Sequence, residues 1–304
     1  MANLFDGKNV KPMLIGARAQ AFDSPDYIYE LKMDGERCIA YLDPITGTDL
    51  RNKRSVAMLP KVPELSGIHE QVNARCILDG ELVVIVDGVP SFYEVMRRSL
   101  TSDKYKIQLQ SARNPATFVA FDILYHVDHE VTSWTVMQRK ELLEQVVAEN
   151  ERLVISRYIE EHGVLLFNLA VERNLEGIVA KRKESRYYQD KRTKDWIKSK
   201  NLEDDDFVAC GYIEKDGFLA TIVLGQYEGE VLKYKGHVAI GRSSSAFRIL
   251  EAHPRVQDAP FRRIPAGCEG VVWIRTDLIC TVSYMANMPG GGIRHPIFKG
   301  FRME

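Results

Sequence analysis

The sequence predicts an α+β domain followed by a small β-barrel. Three observations carry that expectation. Strand-like and helix-like segments alternate through the first two-thirds of the 304 residues. A polar, acidic stretch without periodicity, Asn-Leu-Glu-Asp-Asp-Asp at 201–206, then interrupts the pattern. Beyond it the texture changes to short β-type runs separated by glycine-containing turns. At ~150 residues per domain the length fits two domains, with boundaries at 1–202 and 203–304.

In chain order, YIYELKMDGERCIAYLD reads as two strands around a hairpin turn at Asp34-Gly35, because Asp-Gly between apolar runs is a hairpin signal. CILDGELVVIVDG repeats the pattern with further Asp-Gly pairs at 79–80 and 87–88. ATFVAFDILYHV is a third strand-like run. Trp134 to Asn150 and roughly Gly163 to Asn174 place apolar residues at helical spacing (Leu142, Val146; Leu165, Leu169). GIVAKR and DWIKSK return to strand. So much antiparallel pairing with interspersed helices argues against a doubly wound parallel sheet. After the acidic linker come FVACGYI, FLATIVLGQY, EVLKYKGHVAIG and GVVWIRTDLICTVSY, all β-type. Only SSSAFRILEAH looks helical, with serines positioned to cap it. Five strands and one helix in ~100 residues fit a five-stranded oligonucleotide-binding barrel.

Composition excludes several classes. No run approaches the ~20 apolar residues of a membrane span, and the start lacks the basic-then-apolar pattern of a secretory signal. Five cysteines without CxxC spacing argue against a zinc site or disulfide framework and for a reducing cytoplasm. With 41 basic and 42 acidic residues the net charge is −1, so a polyanionic partner must be held by a local patch.

Four short patterns could carry chemistry. Lys32, in Glu30-Leu-Lys-Met-Asp-Gly-Glu-Arg37, is presented at a strand end before a tight turn. Asp79-Gly-Glu81 sets two carboxylates at i and i+2, on one face of a strand. Glu176-Gly-Ile-Val-Ala-Lys181-Arg182 flanks a short apolar strand with a carboxylate and cations. Asp195-Trp-Ile-Lys198-Ser-Lys200 puts two lysines on one face beside Trp196. The segment 181–200 holds nine Lys/Arg against three Asp/Glu, the clearest basic patch in the chain. Each alone also fits an ordinary polar strand end.

Taken in order, K-x-D-G-x-R, D-G-E, E-G-x-x-x-K and W-x-K-x-K form the motif series of covalent nucleotidyltransferases. The chain resembles ATP-dependent DNA ligases, most closely the ligase module of bacterial end-joining ligases and its stand-alone bacterial and phage relatives. The likeness runs from Pro12 through to Arg294-His-Pro-Ile-Phe-Lys-Gly-Phe-Arg302. It implies an ATP-grasp-like nucleotidyltransferase domain of antiparallel sheets and helices, then an OB-fold. The implied reaction adenylylates a lysine, passes AMP to a 5′-phosphate, and lets a 3′-hydroxyl expel it. Roles in DNA repair, replication or recombination follow.

By that resemblance Lys32 is the nucleophile. A free lysine, with pKa ~10.4, is almost wholly protonated at neutral pH, and Lys198, Lys200 and Mg²⁺ (Mn²⁺ as a substitute) would favour its neutral form. Glu81 and Glu176 match positions near the ribose and the metal, which takes hard oxygen ligands. Asp34 and Arg37 match positions beside the nucleotide, and Glu30 the position that accepts the adenine amine. Phe121 matches the aromatic that stacks on adenine, and Arg51 an arginine that also serves the nick phosphate. Lys181, Arg182, Arg294, Lys299 and Arg302 would contact DNA. The expected partner is nicked double-stranded DNA, gripped by a monomer through its two domains alone.

Three departures from the family pattern stand out. Lys53 occupies a position often held by glycine, no DNA-binding domain precedes Lys32, and the sequence stops at Arg302-Met-Glu304 where the last motif usually reaches a lysine. The competing readings are RNA ligation or mRNA capping by the same covalent chemistry, and an inactive oligonucleotide-binding relative. The intact Lys32, Glu81, Glu176, Lys198 and Lys200 speak against the last.

Overall fold

The computed structural model describes residues 3–215, 219–241, 244–285, 287–288 and 290–302. Its contacts divide the chain into two units, Met1–Asn201 and Leu202–Glu304.

The first unit opens with α1 (Leu4–Gly7), β1 (Leu14–Arg18), β2 (Ser24–Leu31), β3 (Glu36–Asp43) and β4 (Gly47–Asn52). It continues with β5 (Cys76–Val86), β6 (Val89–Pro90), α2 (Phe92–Leu100), α3 (Lys104–Arg113), β7 (Ala116–His126) and β8 (His129–Glu130). Then come α4 (Val136–Val146), β9 (Leu153–Ile155), β10 (Tyr158–Glu161), α5 (Gly163–Glu172), β11 (Gly177–Arg182) and β12 (Arg192–Lys200). These strands form two sheets. One has the order β1-β12-β11-β2-β10; the other has β4-β3-β5-β7-β8, with β6 added to β5 and β9 to β7.

This arrangement overturns the hairpin expected at Asp34-Gly35. β2 belongs to the first sheet and β3 to the second, so residues 32–35 hand the chain from one sheet to the other. The crossing is tight. A Cβ on Gly35 would lie 2.0 Å from the Leu82 carbonyl oxygen, so only glycine lets the turn pass so close to β5. Asp79-Gly80 is not a turn either, but lies inside the continuous strand β5. The third Asp-Gly is a true reversal, joining β5 to β6 with Asp87 and Gly88 both at positive φ, as a two-residue hairpin requires.

The predicted helices are present with shorter bounds. α4 starts at a capping box in which Thr135 accepts from the Gln138 amide and Gln138 reaches back, satisfying two otherwise orphaned donors. α2 and α3 were not foreseen. α2 is short and polar on average, buries Val95 and Arg98, and is tied down by the Arg98 contacts to Glu64 and the Lys61 and Asn114 carbonyls. The main core packs the second sheet through Leu42, Leu78, Phe118, Leu143 and Leu153. A second cluster, with Met13, Ile39, Ile77, Tyr187 and Trp196, joins the two sheets.

The second unit contains β13 (Glu203–Lys215), β14 (Leu219–Glu228), β15 (Val231–Gly241), α6 (Ser245–Ala252), β16 (Val272–Trp273), β17 (Ile279–Tyr284) and β18 (Ile297–Phe301). The acidic segment expected as a linker is therefore largely strand. Glu203 to Asp206 pair in register with Tyr284 to Thr281 of β17, side chains alternating with the pleat. Ser244 caps α6 as expected, accepting from the Phe247 amide. The sheet runs β15-β14-β13-β17-β18, with β16 also on β13. It is mostly antiparallel sheet, and no ladder joins β15 to β18 among the described residues. The expected tail Arg294–Arg302 supplies the edge strand β18, whose Phe298 and Phe301 pack on the core; Met303 and Glu304 lie outside the described residues. No described helix is long and apolar enough to cross a membrane.

Candidate active site

A cleft opens at the crossing between the two sheets of the first unit. Strands of both sheets line it: Ile15 from β1, Glu30 and Leu31 from β2, Arg37 from β3, Glu81 from β5, Phe121 from β7, Val179 and Lys181 from β11 and Trp196 from β12, with Lys32 and Met33 on the crossing itself.

Lys32 is fixed at both ends. Its amide donates to the Gly177 carbonyl at 2.9 Å, and its Nζ lies 2.7 Å from Glu176 Oε2. Lys200 Nζ takes the other oxygen, Oε1, at 2.7 Å. The Glu176 carboxylate is thus shared between two ammonium groups while its side chain is only 2% exposed. Burial acts to raise its pKa, but Lys32 and Lys200 outweigh burial and hold it below the usual carboxylate range. Gly177 makes this junction possible. It sits at φ +132°, and a Cβ there would lie 2.1 Å from the Ser199 carbonyl oxygen, so the E-G of the third motif has a steric cause.

Lys198, one pleat from Lys200, is half-buried, and its pKa is lowered by burial and by the nearby charges of Lys200 and Lys32. Glu81 makes no ion pair among the described residues. Burial pushes its carboxyl up to about 7, with Glu176 and Asp79 adding to the rise against the opposing pull of Arg37 and Lys32. It is the carboxylate of this site that lacks a cationic partner.

Arg37 and Phe121 form the next layer. Asp79, wholly buried, receives Arg37 Nε at 2.6 Å and the Tyr187 hydroxyl at 2.6 Å, and a second guanidinium nitrogen completes the fork. The Arg37 guanidinium carbon stands 4.4 Å from the centre of the Phe121 ring, within cation–π range. Phe121 is the extra residue of a bulge: Ala120 and Asp122 lie opposite the adjacent Gly80 and Asp79. Bulges re-aim a side chain out of the pleat, and here the half-buried ring enters the cleft.

Glu30 and Lys181 form the far wall, with the Glu30 carboxylate contacted by Lys181 and by Lys140 of α4 at 2.8 Å each. This corrects one expectation. Lys181 is no surface DNA contact: it is 3% exposed, faces the cleft and lies 4.5 Å from the Phe121 ring centre. Burial lowers its ammonium pKa to about 8 despite Glu30. Arg182, its neighbour, is exposed.

Other expected residues lie elsewhere. Asp34 is buried at the turn after Lys32 and is absent from the cleft lining. Arg51 also lies outside the lining, on β4, 3.1 Å from Asp49, which Lys8 shares at 2.8 Å. In the second unit Lys299 and Arg302 are exposed and Arg294 half-buried; Arg302 pairs with Asp206 at 2.7 Å. Sequence reasoning missed Lys140, a charged residue at a buried helical position with no motif around it. It also missed the anchoring roles of Tyr187 and Trp196, which only tertiary packing reveals.

Two sheets with a lysine crossing between them, facing paired carboxylates and an aromatic wall, define a nucleotidyltransferase of the ligase class. A family model for the ATP dependent DNA ligase domain matches residues 12–200, and one for the ATP dependent DNA ligase C terminal region matches 215–304. The chain belongs to the ATP-dependent DNA ligase family. It is 26% identical over 296 residues to the SPbeta prophage-derived DNA ligase-like protein LigB of Bacillus subtilis, covering 97% of this chain and 99% of that one. It is 29% identical to the multifunctional non-homologous end joining protein LigD of Pseudomonas aeruginosa, across 92% of this chain but 34% of that relative. The chain thus spans about a third of that longer protein. Among solved structures, mycobacterial DNA ligase D complexed with ATP and MES shares the fold, with a TM-score of 0.57 at 24% identity, covering 97% of this chain and 95% of the other. The enzyme is an ATP-dependent DNA ligase, and neither RNA ligation nor capping is favoured.

Proposed function

We propose that the protein seals nicks in duplex DNA as a monomer, through an AMP-lysine at Lys32. The observation that carries the reading is the Lys32–Glu176–Lys200 arrangement at the cleft mouth. Lys32 Nζ attacks the α-phosphorus of ATP; an N–P bond forms as the bond to pyrophosphate breaks. The proton leaves Nζ along the contact it already makes to Glu176 Oε2. Lys198 and Lys200 lie beside the same carboxylate and neutralise phosphate charge. AMP then passes to the 5′-phosphate of the nick, and attack by the 3′-hydroxyl expels it.

The residues present fit a magnesium ion. Mg²⁺ keeps most of its waters and uses one or two carboxylates plus substrate phosphates, which suits a site with no cluster of three or more ligating side chains among the described residues. Glu81, with its carboxyl raised to about 7 and no ion pair among the described residues, would be the first ligand. Glu176, held between Lys32 and Lys200, would be the second. The ion would supply charge neutralisation at the phosphates, and Mn²⁺ would serve the same oxygen ligands. Glu30 accepts the adenine amine, Phe121 stacks on the base, and Asp34 and Arg37 brace the nucleotide side of the turn. Arg51, Arg182, Arg294, Lys299 and Arg302 take DNA phosphates, a salt-sensitive grip. Five strands of five or more residues, with one helix between the third and fourth of them, support reading residues 203–304 as an OB-fold.

Incubation with α-labelled ATP and Mg²⁺ followed by a denaturing gel tests the assignment. Wild-type protein becomes labelled and seals a nicked duplex; Lys32→Ala does neither, although its melting is unchanged. A folded Lys32→Ala protein that still retains AMP would show the nucleophile to be elsewhere. Labelling from GTP in preference to ATP would favour the capping-type alternative.

A further inference from the structure

The far wall of the cleft holds a charge arrangement that no motif announces. Lys140 Nζ and Lys181 Nζ each lie 2.8 Å from the same Glu30 oxygen, Oε1. All three side chains are 2–3% exposed. Glu30 itself lines the cleft. Beside them Arg139 clamps Asp122, with contacts of 2.6 and 3.0 Å. Three cations and two carboxylates therefore share one buried cluster.

A carboxylate buried this deeply stays ionised only when paired. Burial acts to raise the Glu30 pKa, but Lys140 and then Lys181 outweigh it and hold the carboxyl below its usual range. Of the two, Lys181 is itself weakened, its pKa lowered to about 8 by burial, and it lines the cleft a nucleotide enters. Lys140 does not line it. It stands behind, from α4, braced by the Ser156 carbonyl at 3.4 Å and the Tyr158 ring at 5.7 Å.

We infer that Lys140 is a positioning residue for base selection, keeping the Glu30 carboxylate an acceptor for the 6-amino group of adenine. The inference rests on the reading of Glu30 as the adenine contact. An ionised carboxylate only accepts hydrogen bonds, whereas a protonated one donates. With Lys140 in place, a 6-oxo purine meets acceptor against acceptor at this position. Without it, Glu30 gains a proton more readily and can donate to the 6-oxygen.

The test compares self-adenylylation from ATP and from inosine triphosphate, which differs at the 6-position, for wild type, Lys140→Met and Lys140→Arg. The ATP-to-inosine ratio of kcat/KM falls about tenfold in Lys140→Met, through the KM for ATP, as expected for a hydrogen bond to a charged acceptor. Lys140→Arg keeps the charge and most of the ratio. Because a ratio is blind to the fraction folded, equal losses with both nucleotides would mean a merely structural role and overturn the inference. So would an unchanged ratio, or an equal collapse in Lys140→Arg. A wild-type ratio near one would overturn the Glu30 reading itself.

Discussion

The two units handle charge in opposite ways. The first buries Glu30, Asp79, Asp122, Arg98, Arg139, Lys140, Glu176 and Lys181. Among the described residues of the second, Lys235 is the one buried charge, and its core of Phe207, Ile222, Leu224, Val282 and Ile274 is plainly apolar. Its ion pair Arg302–Asp206 is exposed, at 67% and 30%. Desolvated charges interact strongly and cost stability when left unpaired; solvated ones are screened and worth little. The first unit thus holds buried ion pairs around its cleft, whereas the second keeps most of its charges at the surface of a sheet with an apolar core.

The sharpest break of this contrast is Glu176→Ala, which leaves Lys32 and Lys200 facing each other without their shared carboxylate. Removing one electrostatic partner of a transition state costs on the order of 10²-fold. Single-turnover labelling at limiting Mg²⁺ measures it, and a near-normal rate would return Glu176 to a structural role.

Next comes a pair of stability measurements. Asp79→Ala strands the Arg37 guanidinium beside a buried void and is expected to cost about 3 kcal/mol. Arg302→Ala should cost less than about 1 kcal/mol. Denaturant unfolding of both variants gives the comparison, and equal losses would erase the distinction between the units.

A pH series sharpens it further. The Glu81 carboxyl, raised to about 7 from 4.5, keeps its proton in the folded state where the unfolded chain has lost it. Its contribution to stability is therefore greatest below about pH 4.5, declines as pH rises toward 7, and levels off above. Glu81→Gln should flatten that segment of the stability–pH curve, while adenylylation in the wild type rises over the same interval as the metal ligand ionises. An unchanged slope in the variant would contradict the assignment.

The smallest effect concerns DNA. For nick sealing, Arg302→Ala should reduce the slope of log affinity against log salt by about 1, with self-adenylylation less affected. Deleting residues 294–304 cannot substitute for this variant. β18 is an edge strand that packs Phe298 and Phe301 on the core, so its loss would open a cavity and unfold the sheet before it reported on phosphate contacts.

Local patterns were enough to mark most of the cleft. Lys32 and Glu176 stand just beyond strand ends and Glu81 follows Gly80 within β5, while Lys198 and Lys200 alternate at the end of β12, and each cue is written within a few residues. The cap of α6 was legible for the same reason. Where the cue was local but its outcome was not, the reading failed. Asp34-Gly35 and Asp87-Gly88 look alike, yet the first crosses between sheets and the second closes a hairpin, because Leu82 of a distant strand takes the space beside Gly35. Acidic residues 203–206 resemble a linker because alternation with β17 is invisible until the partner strand is known. Lys181 resembles a DNA contact because its neighbours in sequence are basic, while its neighbours in space are Glu30, Phe121 and Trp196. The sequence by itself determined the chemistry, since reactive groups need particular residue types at particular spacings. Only the tertiary structure decided which charges are buried, and so that Glu81 makes no ion pair among the described residues while Lys140 stands behind Glu30, because desolvation depends on packing between segments far apart in the chain.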